Sequence, residues 1–185
     1  MMNYQPEVFM NQYPVVKRFV YHLVYYRILS KDYSDSKLQN EFWTLTIDAH
    51  LLQAVIYWCM VFGSDGCNPT HWKKLSPDQP EMLYQNFCVE LFEQTGLDQQ
   101  AWKSYWREVV DFRNNYAVHR ALGFSNPVPN FDMALKVVYY YDRWVRNMIS
   151  PDIFYEPPLE AFAFSLAQSV KPLIKKLFEA SKESS

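Results

Sequence analysis

The chain has 185 residues, 18 basic against 20 acidic side chains, a net charge of −2, and 49% apolar and 21% charged residues. These values are typical of a globular domain and exclude a disordered chain, a collagen-like repeat and a strongly basic nucleic-acid coat. The unusual counts are 13 Phe, 14 Tyr and 6 Trp beside only 4 Gly; so few glycines disfavour turn-rich β folds and exclude Gly-rich phosphate loops.

Taken in chain order, residues 14–30 carry Val16, Phe19, Val20 and Leu23 at helical spacing and predict a first amphipathic helix. Ser34, Asp35 and Ser36 offer N-cap oxygens for a second helix over about 37–62. Its second half is apolar nearly all round, as a central bundle helix requires. Its longest apolar run, Ala54–Phe62, falls short of the roughly 20 residues of a membrane span, so no membrane association is expected. Residues 63–80 are a long loop rich in turn formers. A third helix follows over about 81–95, with Gly96 as its left-handed C-cap and Asp98 as the N-cap of a fourth. After a second loop, Asn130 caps a fifth helix through about Met148. A sixth starts at Pro158 and is expected to kink or end at Pro172, before a Lys/Ser-rich tail over 179–185 expected to be mobile. No segment alternates apolar and polar residues between turns, so no strand is expected. The expectation is an all-α, up-and-down bundle of five to six helices, one domain over 1–185 with its core bundle at about 14–178.

Three cysteines, Cys59, Cys67 and Cys88, cannot all pair, and the N-terminus has no basic-then-apolar leader pattern. A reducing cytoplasm is the expected compartment. Tyr139, Tyr140 and Tyr141 point to three helix faces and are expected to exceed what one core accepts, which suggests a subunit interface.

The fourth helix carries the chemistry. At 100° per residue, with Val109 set to zero, Trp102, Tyr105, Trp106 and Tyr116 all lie within about 60° of it and form a core-facing stripe. Arg113 falls inside that stripe, at about 40°. A guanidinium there needs a carboxylate, a phosphate or water, because burying it alone costs several kcal/mol; Asp48 and Asp142 are the inward acids available to it. His119 lies at the edge of the same face, while Asn114, at about 140°, faces away on a regular helix.

The string FRNNYAVHR, with Arg113-Asn114 and then His119, resembles the R-[polar]-x(3–5)-H signature of the HEPN superfamily, in the branch related to abortive-infection proteins. The long aromatic helix before it, the Trp-Lys segment HWKKL and the Tyr-rich helix after a Pro-containing loop are similar in order, over about residues 41–144. The resemblance implies an endoribonuclease that needs no metal or other cofactor, of a defence or toxin–antitoxin type. Its site would lie where two subunits of a homodimer meet. His119 would then be general acid or base, Arg113 would stabilise the phosphorane, and Asn114 would orient the phosphate or the histidine. A neutralising antitoxin or defence partner is also implied. The alternative is a non-catalytic HEPN module that binds nucleotide or a protein. The tyrosine often found two positions after the histidine in the subgroup regulated by a nucleotidyltransferase is absent, because Arg120 and Ala121 follow His119.

Trp72, Lys73 and Lys74 form a basic and aromatic loop cluster; with Tyr116 and Arg120 they are weaker candidates for holding single-stranded RNA. The bland reading of Trp72 is a ring that packs the loop onto the bundle. Cys67 and His71 are spaced C-x3-H, too few ligands for zinc even with Cys59 nearby. His22 and His50 read as helix residues of the polar core or surface.

Overall fold

A computed structural model describes residues 3–36, 38–119, 121–150, 152 and 154–183. The described residues form an all-α helical bundle of six helices: α1 (Pro6–Ser36), α2 (Glu41–Phe62), α3 (Pro80–Thr95), α4 (Gln99–Phe112), α5 (Phe131–Ile149) and α6 (Leu159–Glu183). A short 3₁₀ turn (Trp72–Leu75) interrupts the first long loop, and a π-helical turn (Arg113–Val118) extends α4. No strand occurs among the described residues.

Local chemistry sets most helix ends. The Asp98 carboxylate accepts from the Ala101 N–H at 2.7 Å and starts α4; the Asn130 side chain accepts from the Asp132 N–H at 2.9 Å and starts α5. Gly96 closes α3 with φ of 72°, a conformation glycine adopts without steric cost.

Three boundaries differ from the sequence expectation. The first helix begins at Pro6, so Pro14 lies inside it, and the sixth runs through Pro172 to Glu183, so residues 179–183 are helical rather than a tail. Each proline removes one helical hydrogen bond, but both rings are exposed, where water can satisfy the carbonyl released. The second helix starts at Glu41 and is capped by Asn40, whose side chain accepts from the Phe42 N–H at 2.9 Å; the cap expected at Ser34–Ser36 is instead the last turn of α1.

α1 and α2 form a helical hairpin, α6 packs along α1, α3 packs on α5, and the π-turn lies on α2. The main core gathers Phe19, Trp58, Phe62, Phe87, Tyr140 and Tyr141, all essentially unexposed. α2 has the length and apolar character of a membrane span, yet Leu51, Ala54, Val55, Trp58, Cys59, Val61 and Phe62 are all core residues here. The three consecutive tyrosines correct the sequence argument for a surplus: Tyr140 and Tyr141 are buried and Tyr139 is half-buried against the core. They fit because α5 is flanked by α1, α3 and α6. The Tyr141 hydroxyl donates to Gln12 at 2.7 Å and the Tyr140 hydroxyl to the Phe87 carbonyl at 2.8 Å, so burial leaves neither polar tip unsatisfied. Asp142, also buried, holds Arg146 at 2.9 Å and the Leu159 N–H at 2.9 Å, joining α5 to the start of α6.

Candidate functional site

α4 does not continue as an α-helix through its motif. From Arg113 the backbone widens to i→i+5 bonding: the His119 N–H donates to the Asn114 carbonyl at 3.0 Å. Such a turn accommodates one extra residue per turn, and it changes which side chains share a face. On a regular helix Asn114 and His119 are about 140° apart. Closing a hydrogen bond between them stacks the two residues one turn apart on the same side. The sequence wheel therefore misplaces Asn114, and the departure from α geometry is the reason.

The turn is held from below and from α2. Tyr116 stacks on Phe112 at 4.8 Å between ring centroids, and its hydroxyl is 3.2 Å from the Asp48 carboxylate. Asp142, the other acid considered for Arg113, is committed to Arg146 instead. Arg113 is half-buried, and its Nε is buried with no hydrogen-bond partner among the described residues. Its guanidinium lies near Cys59, where it partly offsets the burial that pushes that thiol up to about 12. Leaving a buried N–H unsatisfied costs about 1–3 kcal/mol, so this arginine is held in place at a cost. His119 is exposed, with no side-chain hydrogen bond among the described residues. Val118 is 53% exposed and Leu122 fully so, which gives the motif an apolar rim. Arg120 lies outside the described residues.

The loop cluster has a different character. Trp72 is 4% exposed and stacks on Phe87 at 4.0 Å, so it packs the loop onto the bundle and offers no open face to a base. Lys73 pairs with Asp65 at 2.9 Å and lies over the Tyr84 ring; Lys74 is half-buried. His71, which sequence reasoning weighed as a metal ligand and as a member of the basic and aromatic cluster, is a keystone of this loop. Its Nδ1 accepts the Lys73 N–H at 3.2 Å, which requires the opposite nitrogen to carry the proton that bonds the Gly63 carbonyl at 3.0 Å. Both ring nitrogens are thus engaged by backbone groups. Burial lowers its pKa to about 4, keeping the ring neutral. Cys67 is exposed beside it, and no group of metal-ligating side chains occurs among the described residues.

A second pair was not foreseen. His22 on α1 and His50 on α2 meet through their Nδ1 atoms at 2.9 Å, flanked by Tyr57 and Tyr25 in stacked contact. One ring must donate and the other accept, so the accepting ring is neutral when they are bonded. Desolvation lowers both pKa values, and the pair adds to that lowering at His22. Their separation of 28 residues explains why neither sequence spacing nor periodicity shows them.

Comparisons of the chain with protein-family models, with curated proteins and with solved structures give no match.

Proposed function

We propose that the protein is a metal-independent endoribonuclease of HEPN type, acting in the cytoplasm as a homodimer whose composite site forms around the π-turn. The observation that carries this reading is that turn itself. It sets Asn114 and His119 one turn apart at the end of α4, and the Nε of Arg113, where the turn begins, has no hydrogen-bond partner among the described residues. π-turns inside α-helices are uncommon and occur often at functional sites.

The chemistry follows from the three side chains. His119, as general base, takes the proton of a ribose 2′-hydroxyl, whose oxygen attacks the adjacent phosphorus. Arg113 binds the phosphorane oxygens with its planar fork, and Asn114 orients the phosphate or the imidazole. The P–O5′ bond breaks and the 5′-oxygen takes up a proton from a general acid, here assigned to the partner subunit's copy of the motif. The products are a 2′,3′-cyclic phosphate and a 5′-hydroxyl. The requirement for a 2′-hydroxyl confines the reaction to RNA. The exposed Val118 and Leu122 suit a surface covered by a second copy.

Incubating the purified protein with total RNA in excess chelator tests the reading. Cleavage that persists in chelator and is lost in both Arg113→Ala and His119→Ala is the expected result. Intact RNA in the presence of a folded dimer would overturn it.

One observation favours a second reading, a protein-binding module. An apolar groove of about 660 Å³ runs between α2 and α6, with Phe42, Leu173 and Leu177 exposed along it. A folded chain that leaves RNA intact but is captured through this groove would support that alternative.

A further inference from the structure

The start of α4 carries a cleft of about 390 Å³ that contains neither Arg113 nor His119, enclosed by the α2–α3 connection and the first two turns of α4. That volume lies within the usual range for small-ligand sites. Its walls include Trp102 and Trp106, one helical turn apart, with Tyr84 on α3. The Trp106 ring is fixed because its Nε1–H donates to the Phe62 carbonyl at 2.8 Å. The facing loop is fixed as well: His71 is bonded to Gly63, and Asn68 and Thr70 both donate to the Met60 carbonyl, at 2.6 and 2.9 Å. Two ammonium groups border the opening. Lys73 is held by Asp65 at 2.9 Å, and Lys103 is exposed with no ion pair among the described residues.

Aromatic walls with an acid nearby could in principle bind either a quaternary ammonium or a flat anion-bearing ring. The lysines decide between them. The Lys73 Nζ already lies 5.5 Å from the Tyr84 centroid and 6.0 Å from that of Trp72, so a ligand cation would meet a charge of its own sign. A planar heterocycle has no such conflict: its π-face can stack on indole rings, and an attached phosphate finds Lys73 and Lys103 at the rim. Gln99 and Ser64, also in the lining, supply hydrogen-bonding groups for a base edge.

We propose that this cleft binds a nucleoside monophosphate unit, with its base against Trp102 and Trp106 and its phosphate between Lys73 and Lys103. The unit is either a free nucleotide or one residue of an RNA strand. The inference is independent of the ribonuclease reading, because no motif residue lines the cleft. Should RNA be the source, Arg113 lies seven residues beyond Trp106, about two turns or 10 Å along the helix. A strand could then span both places.

Intrinsic tryptophan fluorescence and calorimetric titrations, all in chelator, test this. The probes are the four ribonucleoside 5′-monophosphates, adenosine, inorganic phosphate, and a single-stranded oligoribonucleotide of about eight residues. At least one monophosphate, or the oligomer, is expected to bind saturably and more tightly than adenosine or phosphate. Binding is expected to weaken about fivefold or more in Trp102→Ala and in Lys103→Glu, and to be retained in Trp102→Phe. Asp65→Asn, which releases Lys73, is expected to tighten binding severalfold. A monophosphate that binds as well as the oligomer identifies a free nucleotide as the source; a clear preference for the oligomer identifies a strand. Lys103 is exposed, so its charge reversal reports on binding even if a tryptophan variant is destabilised. Absence of saturable binding for every probe up to about 10 mM overturns the proposal. So does binding that survives both Trp102→Ala and Lys103→Glu. Binding lost only in Arg113→Ala or His119→Ala would assign the nucleotide to the motif instead, and cleavage without cleft-dependent binding would leave the ribonuclease reading standing alone.

Discussion

The two ends of α4 are built on opposite principles. At its start, the cleft is a finished structure: His71, Asn68, Thr70 and Trp106 each spend a polar group on fixing the walls. At its far end, the π-turn is an unfinished one, with an exposed imidazole, a buried guanidinium nitrogen that has no hydrogen-bond partner among the described residues, and an apolar rim. In the proposals above, the fixed walls of the first hold a ligand in place, and the open polar groups of the second act on a phosphodiester. The comparison separates binding from chemistry along one helix.

The sharpest break of this contrast is at the chemical end. His119→Ala and Arg113→Ala are each expected to lower RNA cleavage by about 10²–10⁴-fold while leaving mononucleotide binding at the cleft unchanged. Rates and titrations on the same preparations check this. Equal losses in both readouts would merge the two regions into one site.

Next in size is the geometry of the turn. Deleting Ala117 removes the residue that the wider turn accommodates and lets α4 continue with α-helical bonding; Asn114 and His119 become i and i+4 and stay on one face, while the tighter winding shifts His119 relative to Arg113. Cleavage is expected to fall by about 10²-fold, since small misplacements of catalytic groups are costly. Circular dichroism and thermal melting should show a folded bundle. Full activity in this deletion would show that the π-turn has no catalytic purpose.

At the binding end the expected effects are on stability. His71→Leu leaves the Gly63 carbonyl and the Lys73 N–H without their partner, at about 1–3 kcal/mol, read as a lowered urea midpoint. The pH dependence has a definite sign. The folded-state pKa of His71 is about 4, below its ordinary value of 6.5, so the unfolded chain binds the extra proton first. Its contribution is complete above about pH 6.5 and is lost as pH falls from there toward 4, an effect of up to about 3 kcal/mol. His22 and His50, whose pKa values are also lowered, add to the loss in the same direction. Urea midpoints measured between pH 7 and 4 are expected to fall for the parent protein and to fall less for His71→Leu. Parallel curves would remove His71 from this role.

Much of this molecule is legible in its sequence, and the reasons are local. Gly96, Asp98 and Asn130 each act on backbone groups two to four residues away, so the helix ends they set can be read without knowing the fold. The stripe on α4 is also visible, because Tyr105 and Val109 recur at helical spacing and are buried together. What escapes the sequence depends on distant partners. Pro14 reads as a helix start and Pro172 as a break, yet both helices run through their prolines, and α1 and α6 pack on each other. The surplus read into Tyr139–Tyr141 vanishes once α5 has neighbours on several sides. Arg113 and His119 are apparent as residues but not as a geometry, since a wheel drawn at a fixed angle cannot represent a π-turn. Trp102 and Trp106 signalled only core, and the loop that turns them into a cleft arrives from the α2–α3 connection.

The central claim is that the π-turn at the end of α4 performs phosphodiester chemistry on RNA through Arg113 and His119. End-group analysis of RNA incubated with the protein in excess chelator tests it most directly. The account predicts new 5′-hydroxyl ends and 2′,3′-cyclic phosphates, absent with His119→Ala and with Arg113→Ala. Intact RNA with the folded parent protein, or equal cleavage by both variants, would contradict it.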